Sequence, residues 1–487
     1  MSNSSNQVQP PLKFIPPDFN PLIWSVVKFL LPLWMRWNSK IGEVTVENVE
    51  LLVELYQQFQ AGKVRFILAF RHPSTEDPVT MFYLLTHAVP RAARQMAVPL
   101  KAPVHAHFIY DRGIPLWAGD IVSWLYAKTG CTSIRRGGVD RPGLRSIREL
   151  FASGQFPMAA APEGATNGHN EIVAPIEPGI AQFSFWCAED LHKASRSEAV
   201  LVVPIGIRYT YVKAPWRSLE RVLYGLEVDC GIAQDIPPLP LQDGVTPTSQ
   251  AQAVLYQRLY RLGNHLLTTM EEFYRKFYHQ NLPVVPDLPQ PANAFESDAF
   301  PLELNKQMGD RLQRLLNAAL SVAEEFLAVA PKGSVTDRCR RIEQAAWDWI
   351  YREDLEPREL LSPVDRGLAD RIATAANLRI WHMRIVETFV SVTGSYVVEK
   401  PTIERYAEMV LLLWDLVMRI KGEPAFPRVK LGLQTAKVTV GSPLSVSDRW
   451  PQYQENRRQA VATLTSDLQT AMEIMIKDTS SGTSSKG

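Results

Sequence analysis

Short apolar runs alternate with amphipathic stretches along the first 280 residues of the chain. The apolar runs predict buried strands, and they are KVRFILAF (63–70), VHAHFIY (104–110), PMAAAP (157–162) and VLVVPIGIRYTY (200–211). Between them, apolar positions recur three and four residues apart, as in 47–61, which predicts helices. Strands that alternate with helices favour an α/β fold with a mixed central sheet flanked by helices.

The rest of the chain has a mostly helical pattern. Residues 226–241 are expected to form a strand and a Pro-rich loop ahead of a long amphipathic helix. Beyond residue 302, apolar positions keep helical spacing until a last predicted strand and helix. The predicted parts are a disordered N-terminus (1–20), an apolar helix (21–40), an α/β domain (41–280), a linker (281–302), a helical domain (303–425), a strand plus helix (426–477) and a disordered tail (478–487).

The segment PLIWSVVKFLLPLWMRW (21–37) is apolar but interrupted by Lys28 and Pro32. Its unbroken apolar length is below the 18–20 residues, approximately, that span a bilayer. Tryptophans combined with Lys28 and Arg36 are typical of a helix that lies in a membrane interface. The alternative is an ordinary helix packed on the domain core. No signal peptide pattern precedes it.

Composition excludes some classes of function. The 487 residues are 46% hydrophobic and 21% charged, with a formal net charge of +1, so the whole chain gives no reason to expect nucleic acid as a partner. The four cysteines are widely spaced and match neither a metal site nor a redox motif. A reducing cytoplasm is therefore the expected location, with peripheral or monotopic membrane association.

One predicted strand ends directly at a titratable pair. His72 follows the run that ends at Phe70, and Asp77 comes five residues later, before Pro78 and an apolar helical segment. An imidazole exchanges protons near neutral pH, and it does so better when a carboxylate fixes its tautomer. The two side chains can meet if His72 lies on the turn and Asp77 begins the helix. Alternatively, Asp77 is only a helix cap and His72 an ordinary strand-end residue.

Two later stretches carry polar groups that suit a phosphorylated polyol. The glycine-bounded segment 130–146 includes Arg135 and Arg136, and guanidinium groups bind phosphate well. In MAAAPEGATNG (158–168), Glu163 could accept hydrogen bonds from substrate hydroxyls, and Gly164 lets backbone approach closely. A solvated basic surface and a plain Pro-Glu-Gly turn remain the alternatives.

A proline marks the last predicted strand of the α/β domain. Pro204 lies inside VVPIGI (202–207), and a proline within a strand indicates a sheet edge or a break beside a site.

Taken in order, these stretches resemble the four motifs of the glycerolipid acyltransferases, which acylate glycerol-3-phosphate and 1-acylglycerol-3-phosphate. HPSTED (72–77) matches the histidine–four residues–aspartate motif, and GCTSIRR matches the second motif with Arg136 at its arginine. APEG (161–164) matches the third motif and VVPIG, with Pro204, the fourth. The resemblance covers roughly residues 40–280, and its specificity comes from the order of the four motifs.

The resemblance implies an acyl transfer that needs no metal or organic cofactor. His72, oriented by Asp77, would act as general base on an acceptor hydroxyl. The acyl group would come from a thioester of acyl carrier protein or coenzyme A. Arg136, with Arg135, would hold the phosphate of lysophosphatidate or glycerol-3-phosphate, and Glu163 its glycerol hydroxyl. Phospholipid biosynthesis at a membrane surface is the implied setting.

Three alternatives have less support in the sequence. Ala161 and Ser133 replace aromatic residues of the family motifs, so an inactive acyltransferase-like protein that binds lipid, with partners on its helical region, is the main alternative. A soluble α/β hydrolase is disfavoured because no Gly-x-Ser-x-Gly motif is present. His105 and His107 share a strand face, but no third metal ligand is evident.

Overall fold

The computed structural model describes residues 7–114, 119–135, 140–234, 239–284, 300–389 and 395–481. The chain divides into two compact units. The α/β unit comprises Lys13–Val212 and Leu433–Gly487, and the helical unit comprises Met1–Leu12 and Lys213–Gly432.

Strands and helices follow each other as the alternating pattern predicts. The strands are β1 (Ile41–Glu47), β2 (Val64–Phe70), β3 (His107–Asp111), β4 (Thr132–Ile134), β5 (Met158–Ala160), β6 (Ala199–Tyr211), β7 (Gln434–Val440) and β8 (Leu444–Ser445). The helices are α1 (Pro21–Trp34), α2 (Val49–Gln60), α3 (Asp77–Tyr83), α4 (Val89–Gln95), α5 (Asp120–Lys128), α6 (Arg141–Ser153), α7 (Gly179–Lys193), α8 (Trp216–Asp229), α9 (Ser249–Tyr278), α10 (Phe300–Leu327), α11 (Val335–Ile350), α12 (Pro363–Phe389), α13 (Tyr396–Glu399), α14 (Ile403–Lys421), α15 (Trp450–Glu455) and α16 (Arg457–Ser481).

The α/β unit is built on one mixed, mostly parallel sheet. Its strand order is β1-β7-β6-β2-β5-β3-β4, and β8 pairs with β6. β6, β2, β5, β3 and β4 are all parallel to their neighbours in this order, whereas β7 runs antiparallel to β6. The carboxyl ends of these five strands therefore lie along the same edge of the sheet, the region where open α/β sheets place their ligand sites.

The central strand β2 is covered by helices on both faces. Leu68 packs into a core with Leu52 of α2 and Met81 of α3, whereas Ile67 packs into a second core with Phe185 of α7. A strand that is buried on both faces needs apolar residues at every position. This explains why its sequence is an apolar run from Phe66 to Phe70, with the charged Arg65 only near its start, and not an alternating pattern.

The domain boundaries differ from those expected. β7 and α16 come from the C-terminal stretch, yet β7 lies between β1 and β6 in the sheet of the α/β unit. Residues 213–280 cluster with the helical unit instead. The expected linker 281–302 and the tail 478–487 lie largely outside the described residues. Of the N-terminal segment 1–20, predicted to be disordered, residues 7–20 are described, with Val8 N bonded to Asp370 Oδ1 at 2.9 Å and Asp18 N to Ala127 O at 2.8 Å.

The strand expected within 226–241 is wrong, because α8 extends from Trp216 to Asp229. Leu219, Leu223 and Leu226 are buried at helical spacing along one face of α8. The segment that begins at Leu226 contains only the last turn of this helix, so the helical spacing of the buried leucines is not visible in it.

Pro204 lies inside β6, a central strand and not an edge strand. One edge of β6 pairs with β2. The other edge pairs with β8 at Leu201 and Val202 and with β7 from Ile205 onward, so the partner strand on this edge changes beside the proline. The Pro204 carbonyl accepts from Gly441 N at 2.9 Å, in the connection between those two strands. The missing N–H of the proline therefore falls at a break in the ladder, which is why a central strand tolerates it.

The helical unit contains α8 to α14. Its buried charges are paired: Arg258 Nη2 lies 2.7 Å from Glu227 Oε2, and Arg311 Nη2 lies 2.7 Å from Glu271 Oε2. Buried ions need such partners because desolvation disfavours an isolated charge. The predicted helical character of this region is confirmed by the structure.

Candidate active site

The turn after β2 brings His72 and Asp77 together. His72 lies just beyond the strand and Asp77 is the first residue of α3. Their side chains meet, with His72 Nδ1 at 2.9 Å from Asp77 Oδ2. Ser74 N donates to the same oxygen at 2.8 Å and closes the turn. The carboxylate therefore caps the turn and contacts the imidazole at once, as its two oxygens allow.

A tyrosine from β6 completes the environment of Asp77. Tyr209 OH donates to Asp77 Oδ1 at 2.6 Å and lies 3.0 Å from the hydroxyl of Thr80. Phe70, the last residue of β2, is the register partner of Ile205, so β6 continues past the end of β2 and carries Tyr209 over the turn. Asp77 thus accepts hydrogen bonds from His72, Ser74 and Tyr209, whose positions are set by the turn and by β6.

Burial sets the electrostatics of this pair. The Asp77 carboxyl is fully buried, and burial raises its pKa even though the bonds from His72, Tyr209 and Ser74 act in the opposite direction. Burial, together with the neighbouring Asp77 charge, also raises the pKa of Tyr209 well above its usual value. Tyr209 therefore stays protonated and serves as a hydrogen-bond donor.

The other ring nitrogen of His72 faces away from Asp77. Because a carboxylate accepts from Nδ1, Nδ1 carries the proton and Nε2 keeps a lone pair. The His72 side chain is 20% exposed, and Nε2 lies 3.1 Å from the Thr166 hydroxyl. A hydroxyl group can therefore reach the basic nitrogen, which is the geometry that general base catalysis requires.

Glu163 lies beneath His72 and does not face solvent. Its side chain is fully buried; Oε1 accepts from His72 N at 2.7 Å, and Oε2 accepts from Ala174 N at 3.0 Å and Asn167 Nδ2 at 2.5 Å. These donors surround both oxygens. The geometry gives Glu163 a positioning role for the His72 backbone instead of the expected contact with a substrate hydroxyl.

Arg71 links the same region from within the core. It is fully buried, and its guanidinium donates to the carbonyls of His169, Asn170 and Ile172 at 3.1, 2.6 and 2.5 Å. Its Nε lies 3.8 Å from Glu163 Oε1. The Arg71 charge is thus compensated, and the loop after β5 is tied to the end of β2.

Of the two arginines expected to bind phosphate, the structure describes only Arg135. Arg135 directly follows β4, with its backbone N donating to Asp140 Oδ2 at 2.8 Å. β4 is three strands from β2 along the shared edge, which corresponds to about 14 Å at the usual strand spacing. Arg136 lies outside the described residues. Gly164 has φ of +71°, which explains why this turn needs glycine.

His105 and His107 have structural contacts. Their ring nitrogens meet the carbonyls of Thr129 and Gly130, each at 2.7 Å. Burial lowers the pKa of His105 to about 3, so its ring stays neutral and donates to the carbonyl. The pair holds the turn that leads into β4.

Sequence reasoning missed Tyr209 and Thr166. Tyr209 lies 132 residues after Asp77, and nothing in a single sequence connects the two. Thr166 lies within the stretch that carries Glu163, so its closeness to that motif was the only available signal.

Comparison with known proteins adds no assignment, since no protein-family model, curated protein or solved structure matches this chain.

Proposed function

We propose that the α/β unit transfers an acyl group from a thioester to a hydroxyl of a glycerol-phosphate-type acceptor. The observation that carries the proposal is the His72–Asp77 contact of 2.9 Å, on an imidazole whose side chain is 20% exposed and whose Nε2 already meets a hydroxyl, that of Thr166, at 3.1 Å. The order of the four motifs, which resembles glycerolipid acyltransferases, supports the same chemistry.

In the proposed reaction, His72 Nε2 removes the proton of the acceptor hydroxyl. The resulting oxygen nucleophile attacks the thioester carbonyl, and the tetrahedral intermediate then expels the thiolate. The imidazolium returns its proton to the thiolate, so His72 ends the cycle neutral. Asp77 stabilises the imidazolium in between, and the fixed contacts of Asp77 with Ser74 and Tyr209 keep the ring in place.

The acceptor phosphate is assigned to the arginines after β4. Arg135 lies at the same sheet edge as His72, and the resemblance adds Arg136. Lysophosphatidate and glycerol-3-phosphate each have a hydroxyl to meet His72 and a phosphate to meet the arginines. The donor is an acyl thioester of acyl carrier protein or coenzyme A, whose leaving group is a thiol in either case.

Membrane association is proposed through α1. Trp24, which the sequence placed at the interface, packs in the core together with Leu31. The opposite face of α1 is exposed, with Leu22 at 78% and Phe29 at 79%. Among the described residues, no helix combines the length and apolarity needed to cross a bilayer. An exposed apolar helix face of this kind suits a protein seated in the headgroup region of a membrane surface.

A helix next to α1 also exposes large apolar side chains. Asn20 caps α1 and its N donates to Lys128 O, at the end of α5, at 2.8 Å. On α5, Ile121 is 80% exposed and Trp124 is 50% exposed. Liposome flotation tests the proposal: L22E/F29E should lose flotation on anionic vesicles, and unchanged flotation would remove α1 as the anchor.

Thiol release tests the proposed reaction. Purified protein is supplied with palmitoyl-coenzyme A or palmitoyl-acyl carrier protein, and glycerol-3-phosphate, lysophosphatidate and a lysoglycolipid are added in turn. We expect thiol release that depends on one class of acceptor. Release that is absent with every acceptor would contradict the proposal and favour a lipid-binding protein without catalytic activity.

A second candidate arises from Thr166, whose hydroxyl lies 3.1 Å from His72 Nε2. In that route the threonine hydroxyl gives its proton to His72, its oxygen attacks the thioester, and the expelled thiolate takes the proton from His72. The acceptor hydroxyl then gives its proton to His72 and attacks the acyl-threonine ester, and the threonine oxygen leaves with that proton. Thr166→Val distinguishes the two routes, because it abolishes transfer only if the hydroxyl is the nucleophile. Mass spectrometry of protein incubated with donor alone should detect acylated Thr166 in that case and unmodified protein in the direct route.

A further inference from the structure

The helical unit contains a cavity that the proposed reaction does not use. It comprises about 930 Å³ of space not filled by protein atoms, part of it open to solvent, and it is bounded by α9, α10, α12, α13 and α14. Its walls are apolar, with leucines such as Leu266 and Leu312 and with the flexible side chains of Met270 and Met308. A concave wall of this apolar character is typical of small-molecule sites.

Two hydrogen-bonding atoms in the cavity wall have no partner among the described residues. They are Asn305 Nδ2 and Tyr260 OH, on side chains that are 3% and 6% exposed. Tyr256 OH donates to Asn305 Oδ1 at 2.7 Å, which fixes the amide with its NH₂ group as the free end. Buried donors are nearly always paired in native proteins, so these two atoms indicate a ligand with an acceptor oxygen.

The lack of charged side chains in the described cavity wall favours a ligand with a neutral hydrogen-bond acceptor. The described lining residues include no Lys, Arg, Asp or Glu. The nearby Arg311 is bonded to Glu271 through two contacts, of 2.7 and 3.2 Å, and so does not offer a net charge to a ligand. A carboxylate buried here would have no counter-charge, whereas an ester carbonyl needs only hydrogen-bond donors.

We propose that this cavity binds one long acyl chain in ester form. The chain packs along the leucine and methionine side chains, and the ester carbonyl accepts hydrogen bonds from Asn305 Nδ2 and Tyr260 OH. The helical unit is thereby assigned a lipid-binding site of its own, separate from the residues around His72.

Equilibrium dialysis with radiolabelled methyl laurate tests the proposal on the full chain. We expect saturable binding of one molecule per chain. Dodecane, which lacks the carbonyl, and laurate at pH 8, which is charged, should each bind at least tenfold more weakly. Absence of saturable binding, or dodecane or laurate binding as tightly as the ester, would overturn the proposal.

Three substitutions locate the ligand. Tyr260→Phe removes one donor and should weaken binding about fivefold. Gly309 lines the cavity and a Cβ there meets nothing within 4 Å, so Gly309→Leu should fill the space and abolish binding. Gly367 on α12 is equally open but exposed and outside the lining, and Gly367→Leu is the matched control that should bind normally.

Two further measurements separate misfolding and catalysis from ligand binding. Both leucine variants replace a helical glycine, which favours the helix, so their thermal unfolding should match or exceed that of wild type. Normal binding by a folded Gly309→Leu protein would contradict the proposal. His72→Ala should bind methyl laurate as wild type does, so a failure of the proposed reaction would leave this result unchanged.

Discussion

Replacing Asp77 with asparagine should lower activity and raise stability at the same time. The carboxylate accepts hydrogen bonds of 2.9, 2.8 and 2.6 Å from His72, Ser74 and Tyr209. An asparagine has nearly the same shape, so the turn can be retained. What is lost is the negative charge that stabilises the imidazolium and holds the proton on Nδ1.

The effect on rate follows from that loss. Positioned acid–base groups contribute about 10²- to 10⁴-fold, so the kcat of Asp77→Asn should fall by about that factor. The fall corresponds to about 2.7–5.4 kcal/mol of transition-state stabilisation at 1.36 kcal/mol per decade. Because Asp77 is fully buried and touches no substrate, KM should change little. Asp467→Asn, at a 44% exposed ion-pair position of α16, is the control and should keep full activity.

The effect on stability has a defined pH dependence. Burial raises the pKa of Asp77 above its ordinary value of 3.8, so the folded state holds this proton more tightly than the unfolded state does. As the pH rises from 3.8 through the raised folded-state pKa, the ionisation of Asp77 lowers the free energy of unfolding of the wild-type protein. The asparagine variant lacks this ionisation and therefore this loss. The stabilisation of Asp77→Asn over wild type should therefore be small near pH 4 and largest at pH 8.

Two assays measure these effects. Thiol release gives kcat and KM, and hydrogen exchange of the β2 amides gives the local free energy of unfolding at pH 4 and pH 8. Activity within tenfold of wild type would refute the orienting role of Asp77. Weaker protection of β2 at pH 8 would refute the electrostatic argument.

Three further predictions concern the groups around this pair. Glu163→Gln removes the negative charge that faces a buried guanidinium at 3.8 Å, so urea denaturation should give a loss of about 3–5 kcal/mol in unfolding free energy. Tyr209→Phe removes a bond that lowers the pKa of Asp77, so the acidic limb of the pH–rate profile should move to higher pH, and an unmoved limb would contradict this role. Arg135→Met should raise KM about tenfold for phosphorylated acceptors only, while Arg145→Met, at an exposed position of α6, should leave KM unchanged.

The sequence predicted those parts of the site that depend on neighbouring residues. His72 and Asp77 are five residues apart at the junction of a strand and a helix, and Pro78 favours the start of that helix. The alternation of apolar runs and helical spacing predicted the mixed sheet with flanking helices, which the structure confirms.

Long-range pairing and burial were not predictable in this way. Nothing local indicates that β7, more than 220 residues after β6, is inserted beside it. Tyr209 reaches Asp77 only because β6 extends beyond the last residue of β2 in the sheet. Nor does a sequence reveal that the carboxylate of Glu163 is fully buried and bonded to backbone amides.

The acyl-transfer rate of His72→Ala relative to wild type tests the central claim most directly. The substitution leaves the buried Asp77 and its bonds to Ser74 and Tyr209 in place, so circular dichroism should show a folded protein. Ester product measured by mass spectrometry, with the best thioester and acceptor, should form at least a hundredfold more slowly. A folded His72→Ala protein that makes product at the wild-type rate would contradict the account.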